Sequence, residues 1–388
     1  MITLINNVTT YNPDPMGQQT IALGGEHILG IDPDLTFTSS LKQTVIDGST
    51  LIAVPGFVDS LVHICGGGGE DGFASRTPEM MLSDAITAGI TTVVGALGTD
   101  SIGRTHSNLL AKAKGLKEEG LNAFCYTGAY HLPAPSLTGS IEKDIMFIDE
   151  VIGVGEVAIS DHRGSQLNAK QLSELAAHAR VAGMLSNKRG TISIHVGPSD
   201  SHLALLHEVA AHYDVPLNRF YPTHMNRNQQ LLDAGIAFAN AGGWIDFTTS
   251  TTDYDLAHGE VSAARALAQC LAKGVEKTRL TMSSDGHASL PVFDENNHLV
   301  GLEVGHERSL LMAFIEAVKE HKVAFADALR AITSNPANAL GIKKGTLAAG
   351  ACADLVLLDS TSLLPRWVFV RGQCMMADGE LIRKGRFE

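Results

Sequence analysis

The residues best suited to chemistry are three histidines and two acids, each at or near the end of an apolar run. His63 closes "LIAVPGFVDSLVHI", His195 lies in "GTISIHVG" and His224 in "RFYPTHM", while Glu156 sits in "VGEVAIS" and Asp285 in "RLTMSSDG". Imidazole nitrogens and carboxylate oxygens together are the ligand set of borderline divalent metals such as zinc, with a position left open for a catalytic water. A single histidine in an apolar run is more often a hydrogen-bonded core residue than a ligand. What favours a common site is the repeated register: three imidazoles and two carboxylates come from the ends of different runs. His178, His212 and His321 fall within helical segments instead and read as surface residues. Thr99 follows the run "ITTVVGAL", Tyr130 ends "LNAFCYTGAY", and Arg163 and Arg227 lie beyond Glu156 and His224. Two guanidinium groups beside a metal site suit bidentate binding of a carboxylate substrate, although pairing with surface acids is the plainer use of an arginine. Asp285, before a glycine in "SSDG", also fits an ordinary turn aspartate.

After His63 the chain runs into "CGGGGEDG". Gly67, Gly69 and Gly72 satisfy G-x-G-x-x-G after a strand, which on paper is a dinucleotide fingerprint. Glu70 and Asp71 stand where a pyrophosphate would approach, and no Lys-Ser/Thr follows, so that reading is rejected. A glycine loop at the mouth of a site, letting backbone come close to a small ligand, fits better.

The elements that must position these groups follow from periodicity. Residues 1–52 read as short strands broken by turns. From residue 53 eight strand-like runs alternate with segments of helical period: the five quoted above, "ITTVVGAL", "LNAFCYTGAY" and "GWIDFTTS". Helices are expected at 78–88, with Thr77 as N-cap and Pro78 in the first turn, and near 107–119, 140–151, 169–185, 201–212, 228–241, 258–273 and 303–320. Eight such units match an α/β fold of the (β/α)8 TIM-barrel type over residues 53–344, and an open doubly wound sheet is the alternative. Strand-and-turn style returns after residue 345, so 1–52 and 345–388 are expected to combine into a small β-sandwich domain. In a barrel the active site gathers at the carboxyl ends of the strands, where the candidate residues fall.

Composition excludes several classes. The 388-residue chain carries a net charge of -13 and no Lys/Arg stripe, which argues against nucleic acid and anionic lipid as partners. No apolar run approaches the roughly 20 residues of a membrane span. Five scattered cysteines without CxxC spacing, and a start lacking a basic and apolar leader, point to reduced thiols in the cytoplasm.

The segments "PGFVDSLVHICGGGGE", "GALGTDS", "TGAYH", "AISDHR", "ISIHVG", "PTHMNRN", "SSDG" and the tail "TSNPANALGI…KGTLAAGACADLVLLD" resemble, in order and nearly in spacing, the isoaspartyl dipeptidase family of the amidohydrolase superfamily. The resemblance covers almost the whole chain, and "GGGGE", "TGAYH", "SDHR" and "THMNRN" are its family-specific part. It implies a zinc-dependent barrel enzyme that hydrolyses dipeptides linked through the aspartate side chain, using a metal-activated water. It implies further that His63 and Asp285 ligate one Zn2+ and His195 and His224 another. Glu70 would then hold the substrate's α-amino group, and Arg163 and Arg227 its carboxylates. Thr99 and Ser289 would make lesser contacts, Tyr130 would stabilise the oxyanion and Asp285 would shuttle the proton. A large homo-oligomer, with an octamer as candidate state, is also implied.

Two departures bear on the metal. Glu156 occupies the position where many members carry a carboxylated lysine, and a carboxylate can bridge without modification. Leu61 replaces the first histidine of the family's His-x-His pair, removing one nitrogen ligand. A weakened two-metal site, a one-metal enzyme using Glu156, His195 and His224, or an impaired relative that binds peptides or serves assembly are the open outcomes. Another amidohydrolase, a cyclic amidase or a deacetylase, is the rival activity. Cys352 in "GACADL", where the family has aspartate, is a smaller departure.

Overall fold

The computed structural model describes residues 2–36, 42–294 and 298–388. The eight runs form β1 (Phe57–Val62), β2 (Ile90–Gly95), β3 (Asn122–Thr127), β4 (Val151–Ile159), β5 (Thr191–Val196), β6 (Phe220–Thr223), β7 (Ile245–Thr248) and β8 (Leu280–Ser283). β1 to β6 pair in parallel in chain order, and β7 pairs with β8. Three backbone hydrogen bonds close the ring. The Met225 amide donates to Asp246 at 3.1 Å, joining β6 to β7; the Asp285 amide donates to Leu61 at 3.1 Å and the His63 amide to Gly286 at 2.8 Å, joining β8 to β1. Every residue of these strands except Phe124 is buried, because side chains fill the interior on one face and helices cover the other. That two-sided burial explains runs of continuous apolar character in place of alternation.

The run "LIAVPGFVDSLVHI" is two strands. Leu51–Pro55 pairs with Ile2–Asn12 and with Leu355–Asp359, and β1 begins only after Gly56. A Cβ on Gly56 would lie 2.1 Å from the Thr91 hydroxyl, so only glycine lets the chain pass from one sheet to the other there. Five strands from the start of the chain and four from its end make one nine-stranded mixed sheet. It has its own apolar core, including Ile5, Ile21, Leu23, Ile28, Leu355 and Phe369. Lys344 ties this sheet to the barrel, its ammonium donating to Asp354 at 2.6 Å, Asn122 at 2.9 Å and the Cys352 sulfur at 3.3 Å. Cys352 is therefore one acceptor in a shared lysine cage.

The helices depart from expectation mostly at their starts. The first runs over Leu82–Thr87, and Thr77 caps nothing: its hydroxyl accepts from the Gly67 amide at 2.7 Å and donates to His287 O at 2.6 Å, bracing the glycine loop. The segment 140–151 is helical only over Ile141–Phe147, because Val151 already begins β4. The segment 303–320 opens as a strand, Leu299–Val304, paired with Ser289–Phe293, before the helix Arg308–Lys319. "LVGLEV" is exposed along most of its length, so it buries no face that could impose a period of two. No helix among the described residues is long and apolar enough to cross a membrane.

Inside the barrel Asp59 is fully buried; it accepts the Ser284 amide at 3.0 Å on one oxygen and has no partner for the other among the described residues. Burial pushes its carboxyl up to about 8. An unfolded aspartate releases its proton near about 4, so between these values the folded chain holds the extra proton and stability falls as pH rises. Asp59→Asn keeps the acceptor for Ser284 and removes the titration. We expect its stability relative to the parent to increase from pH 5 to pH 8.5 in urea unfolding; a difference that stays constant with pH would refute this account of Asp59.

Candidate active site

The ends of the barrel strands enclose a cavity of about 260 Å³. Its lining includes His63, Glu70, Thr99, Tyr130, Arg163, His195, His224, Arg227, Asp285 and Ser289, all predicted from sequence. Glu156 completes the set from beneath, wholly buried between two imidazoles. Its Oε1 lies 3.0 Å from His195 Nδ1 and 3.1 Å from His224 Nε2. The opposite nitrogens are also held: Asp161 Oδ2 faces His195 Nε2 at 3.0 Å, and Thr248 Oγ1 faces His224 Nδ1 at 2.5 Å. Second contacts of this kind orient ligating imidazoles and set their tautomers. Burial alone would raise the Glu156 carboxyl, yet His195 and His224 hold it well below the ordinary range. Burial, reinforced by the nearby Arg227 guanidinium, pulls His224 down to about 4, which leaves its imidazole neutral near pH 7.

The other half of the floor is a pair. His63 Nε2 lies 3.1 Å from Asp285 Oδ1, and His63 Nδ1 has no hydrogen-bond partner among the described residues. Burial opposes protonation of His63, but Asp285 outweighs it and lifts the imidazole to about 9. Asp285 and His224 both have left-handed backbone, φ 53° and 61°, a conformation uncommon outside glycine and often retained at functional sites.

Below this pair the inner face is apolar at Leu61. Leu61, on β1, and His63, the first residue beyond its end, are two positions apart and share one face, and Leu61 is 1% exposed in an apolar cluster with Val94, Ala96, Tyr126, Ile152 and Tyr221. The position is filled by packed hydrocarbon one layer below the cavity. Among the described residues near the cavity, the three-donor group able to hold a metal is Glu156, His195 and His224, with ligand atoms within 4.8 Å of one another. This donor set, with its outer partners in place, fits a zinc-class ion; His63 and Asp285 offer a second ion two donors.

The walls carry charge of both signs. Glu70 Oε1 accepts from Thr99 Oγ1 at 2.6 Å and lies 3.5 Å from Arg163 Nη1. Arg163 is gripped by Asp161 at 3.0 and 2.7 Å, which holds the guanidinium across the cavity. The Arg227 Nε–H donates to Val196 O at 3.1 Å, leaving the rest of its fork on the lining. Tyr130 Oη lies 2.8 Å from His195 Nδ1, and burial beside Glu156 keeps its hydroxyl protonated far above neutrality.

The glycine loop hugs this wall. Gly68 has φ +72°, and a Cβ there would meet Ser75 O at 2.4 Å. A 3-10 turn, Phe73–Ser75, follows the loop where a dinucleotide fold would start its helix, in keeping with the rejected fingerprint. Arg104 fastens the loop by donating to the carbonyls of Cys65, Gly67 and Thr77.

Sequence reasoning overlooked Asp161, Thr248, Arg104 and Glu260. Thr248 ends the seventh strand and obeys the same strand-end rule that selected Thr99. Asp161 sits two residues before Arg163 in "SDHR". Arg104 lies in a connecting segment, and Glu260 falls in the expected helix 258–273 but precedes the helix that forms, Ala263–Ala272; burial, opposed by Arg227, lifts Glu260 to about 7. The helical histidines stay outside the site: the His178 side chain is 58% exposed and pairs with Glu142.

Comparison with known proteins follows this geometry. The Amidohydrolase family pattern matches residues 52–382. A crystal structure of beta-aspartyl dipeptidase from Fervidobacterium islandicum AW-1, in complex with beta-Asp-Leu dipeptide, superposes with a TM-score of 0.89 at 38% identity, covering 98% of both chains. Dihydropyrimidinase from Brevibacillus agri NCHU1002 shares the fold with a TM-score of 0.69 at 16% identity, over 99% of this chain and 97% of that one. A dihydroorotase of Solibacter usitatus (strain Ellin6076) is 23% identical over 86% of this chain and 82% of its own. A cavity at the strand ends with a carboxylate–imidazole floor, in a barrel matched over nearly its whole length, places the chain in the beta-aspartyl (isoaspartyl) dipeptidase family of the amidohydrolase superfamily.

Proposed function

We propose that this protein is a zinc-dependent isoaspartyl dipeptidase with an asymmetric metal site, tight at Glu156, His195 and His224 and weak at His63 and Asp285. The observation that carries the reading is the charge layout of one cavity: Glu70 on one wall, Arg163 and Arg227 around it, and the donor triad below. A β-aspartyl dipeptide has one amine and two carboxylates flanking its isopeptide bond, so each charge finds a counterpart. A neutral cyclic amide would leave Glu70 and the arginines unmatched, which disfavours the cyclic-amidase alternative.

The ion supplies Lewis acidity that polarises the scissile carbonyl and acidifies a water. The chain supplies the rest. Glu70 receives the α-ammonium group and Arg227 a carboxylate, which orients the bond over the floor. His63 outweighs the effect of burial and keeps the Asp285 carboxyl below its ordinary range, so at neutral pH Asp285 is ionised and can take the attacking water's proton. Asp285 then returns that proton to the leaving amine. Tyr130, still protonated, donates to the developing oxyanion.

Purified protein incubated with zinc and β-Asp-Leu should release aspartate and leucine, and prior removal of metal with a chelator should abolish the release; no hydrolysis at any zinc concentration would overturn the assignment. Glu70→Gln should lower kcat/KM by about 10- to 100-fold, the range for losing a hydrogen bond to a charged group, with metal content unchanged. Leu61→His should add one metal equivalent per chain and raise kcat. An unchanged stoichiometry and rate in that variant would mean that the second position is closed for reasons other than the missing nitrogen.

A further inference from the structure

We propose a second divalent-cation site, of the zinc class, on the outer wall of the barrel, built from Asp84, His287 and Glu307. Asp84 lies on the helix Leu82–Thr87, His287 follows the end of β8, and Glu307 immediately precedes the helix Arg308–Lys319. None of the three lines the active-site cavity. The inference stands independently of the peptidase reading.

The tautomer of His287 makes the case. Its Nδ1 lies 3.0 Å from the carbonyl oxygen of Pro78, an atom that can only accept, so Nδ1 carries the hydrogen. Nε2 then presents a lone pair and has no hydrogen-bond partner among the described residues. It faces Asp84 Oδ2 at 3.4 Å and Glu307 Oε1 at 3.6 Å. Glu307 has a side chain 1% exposed, and neither of its carboxylate oxygens has a hydrogen-bond partner among the described residues. Three electron-rich atoms converge on one point, which is costly unless a cation stands between them.

The spacing selects the kind of cation. Zinc holds nitrogen and oxygen at about 2.0–2.2 Å, so adjacent ligands of a tetrahedral site are separated by about 3.4 Å. The observed 3.4 and 3.6 Å are long for hydrogen bonds and right for the edges of that tetrahedron. One imidazole with two carboxylates is also a ligand set that zinc accepts. Space has been left open: a Cβ on Gly286 would come within 2.4 Å of Glu307 Oε1. Asp84 and Glu307 line an open cavity of about 460 Å³, which gives an ion a route from solvent and room for a water as fourth ligand. Such an ion would fasten two helices to the segment that carries Asp285.

The competing occupant is a proton on Nε2, and metal counting separates the two. Zinc per chain is measured by elemental analysis after dialysis against metal-free buffer. His287→Asn and Asp84→Asn should each hold one equivalent fewer than the parent, while a His195→Ala/His224→Ala variant, emptied at the active site, should retain that equivalent. Asp84→Asn preserves an acceptor for the Met81 amide, which Asp84 now receives at 2.7 Å, so it serves if His287→Asn fails to fold. In the His195→Ala/His224→Ala background, added zinc should raise the unfolding midpoint, and Asp84→Asn should cancel the rise. Parental stoichiometry in Asp84→Asn, or no retained zinc in the emptied variant, would overturn the site and leave a proton as the occupant.

Discussion

The buried charge of Glu156 is the constraint on which the site rests. A carboxylate taken wholly out of water costs several kcal/mol unless it is paired, and here the pairing is with two imidazoles from the next two strands. Those imidazoles can serve only if their rings are fixed, so each has an outer partner: Asp161 on His195 and Thr248 on His224. Asp161 in turn fixes Arg163, and Arg163 meets Glu70 on the glycine loop. One buried anion thus organises a chain of contacts from the barrel floor to the cavity mouth. Removing Glu156 leaves His224 Nε2 without its hydrogen-bond partner in a place water reaches poorly.

Leu61 marks where the barrel interior turns apolar. Its inner-face position joins an apolar layer that packs to closure beneath the cavity, and His63 turns to Asp285 alone. The two halves of the floor therefore differ in kind. One is a three-donor group with outer supports, the other an acid–imidazole pair with Asp285 Oδ1 3.1 Å from His63 Nε2.

Much of this was legible in the chain because the relevant signals are local. The eight runs became the eight barrel strands, since two-sided burial imposes an apolar run whatever the neighbours are. The residues read at strand ends all reached one cavity, because a parallel barrel brings every carboxyl end to the same face. The less legible parts depend on close approach. Gly56 divides one apolar run into two strands because Thr91 presses on it from β2. Thr77 looks like a helix cap in sequence and is instead captured by the glycine loop and by His287 O, 210 residues away. Arg104 stands in an irregular segment, where no period announces which side chain turns inward, and Glu260 precedes the helix Ala263–Ala272, which starts later than its period suggests.

Residue type and strand register are properties of the chain, and they were enough to read the eight strand-like runs and the eleven candidate residues that lie at or beneath the cavity. It took the folded chain to show that Leu61 packs into an apolar cluster, that Asp161 and Thr248 face the two imidazoles, and that Asp84, His287 and Glu307 come together. Distance makes the difference. A hydrogen bond or a metal ligand is set within a few tenths of an ångström, and in the outer-wall group residues more than 200 positions apart meet at that precision only once the barrel has closed.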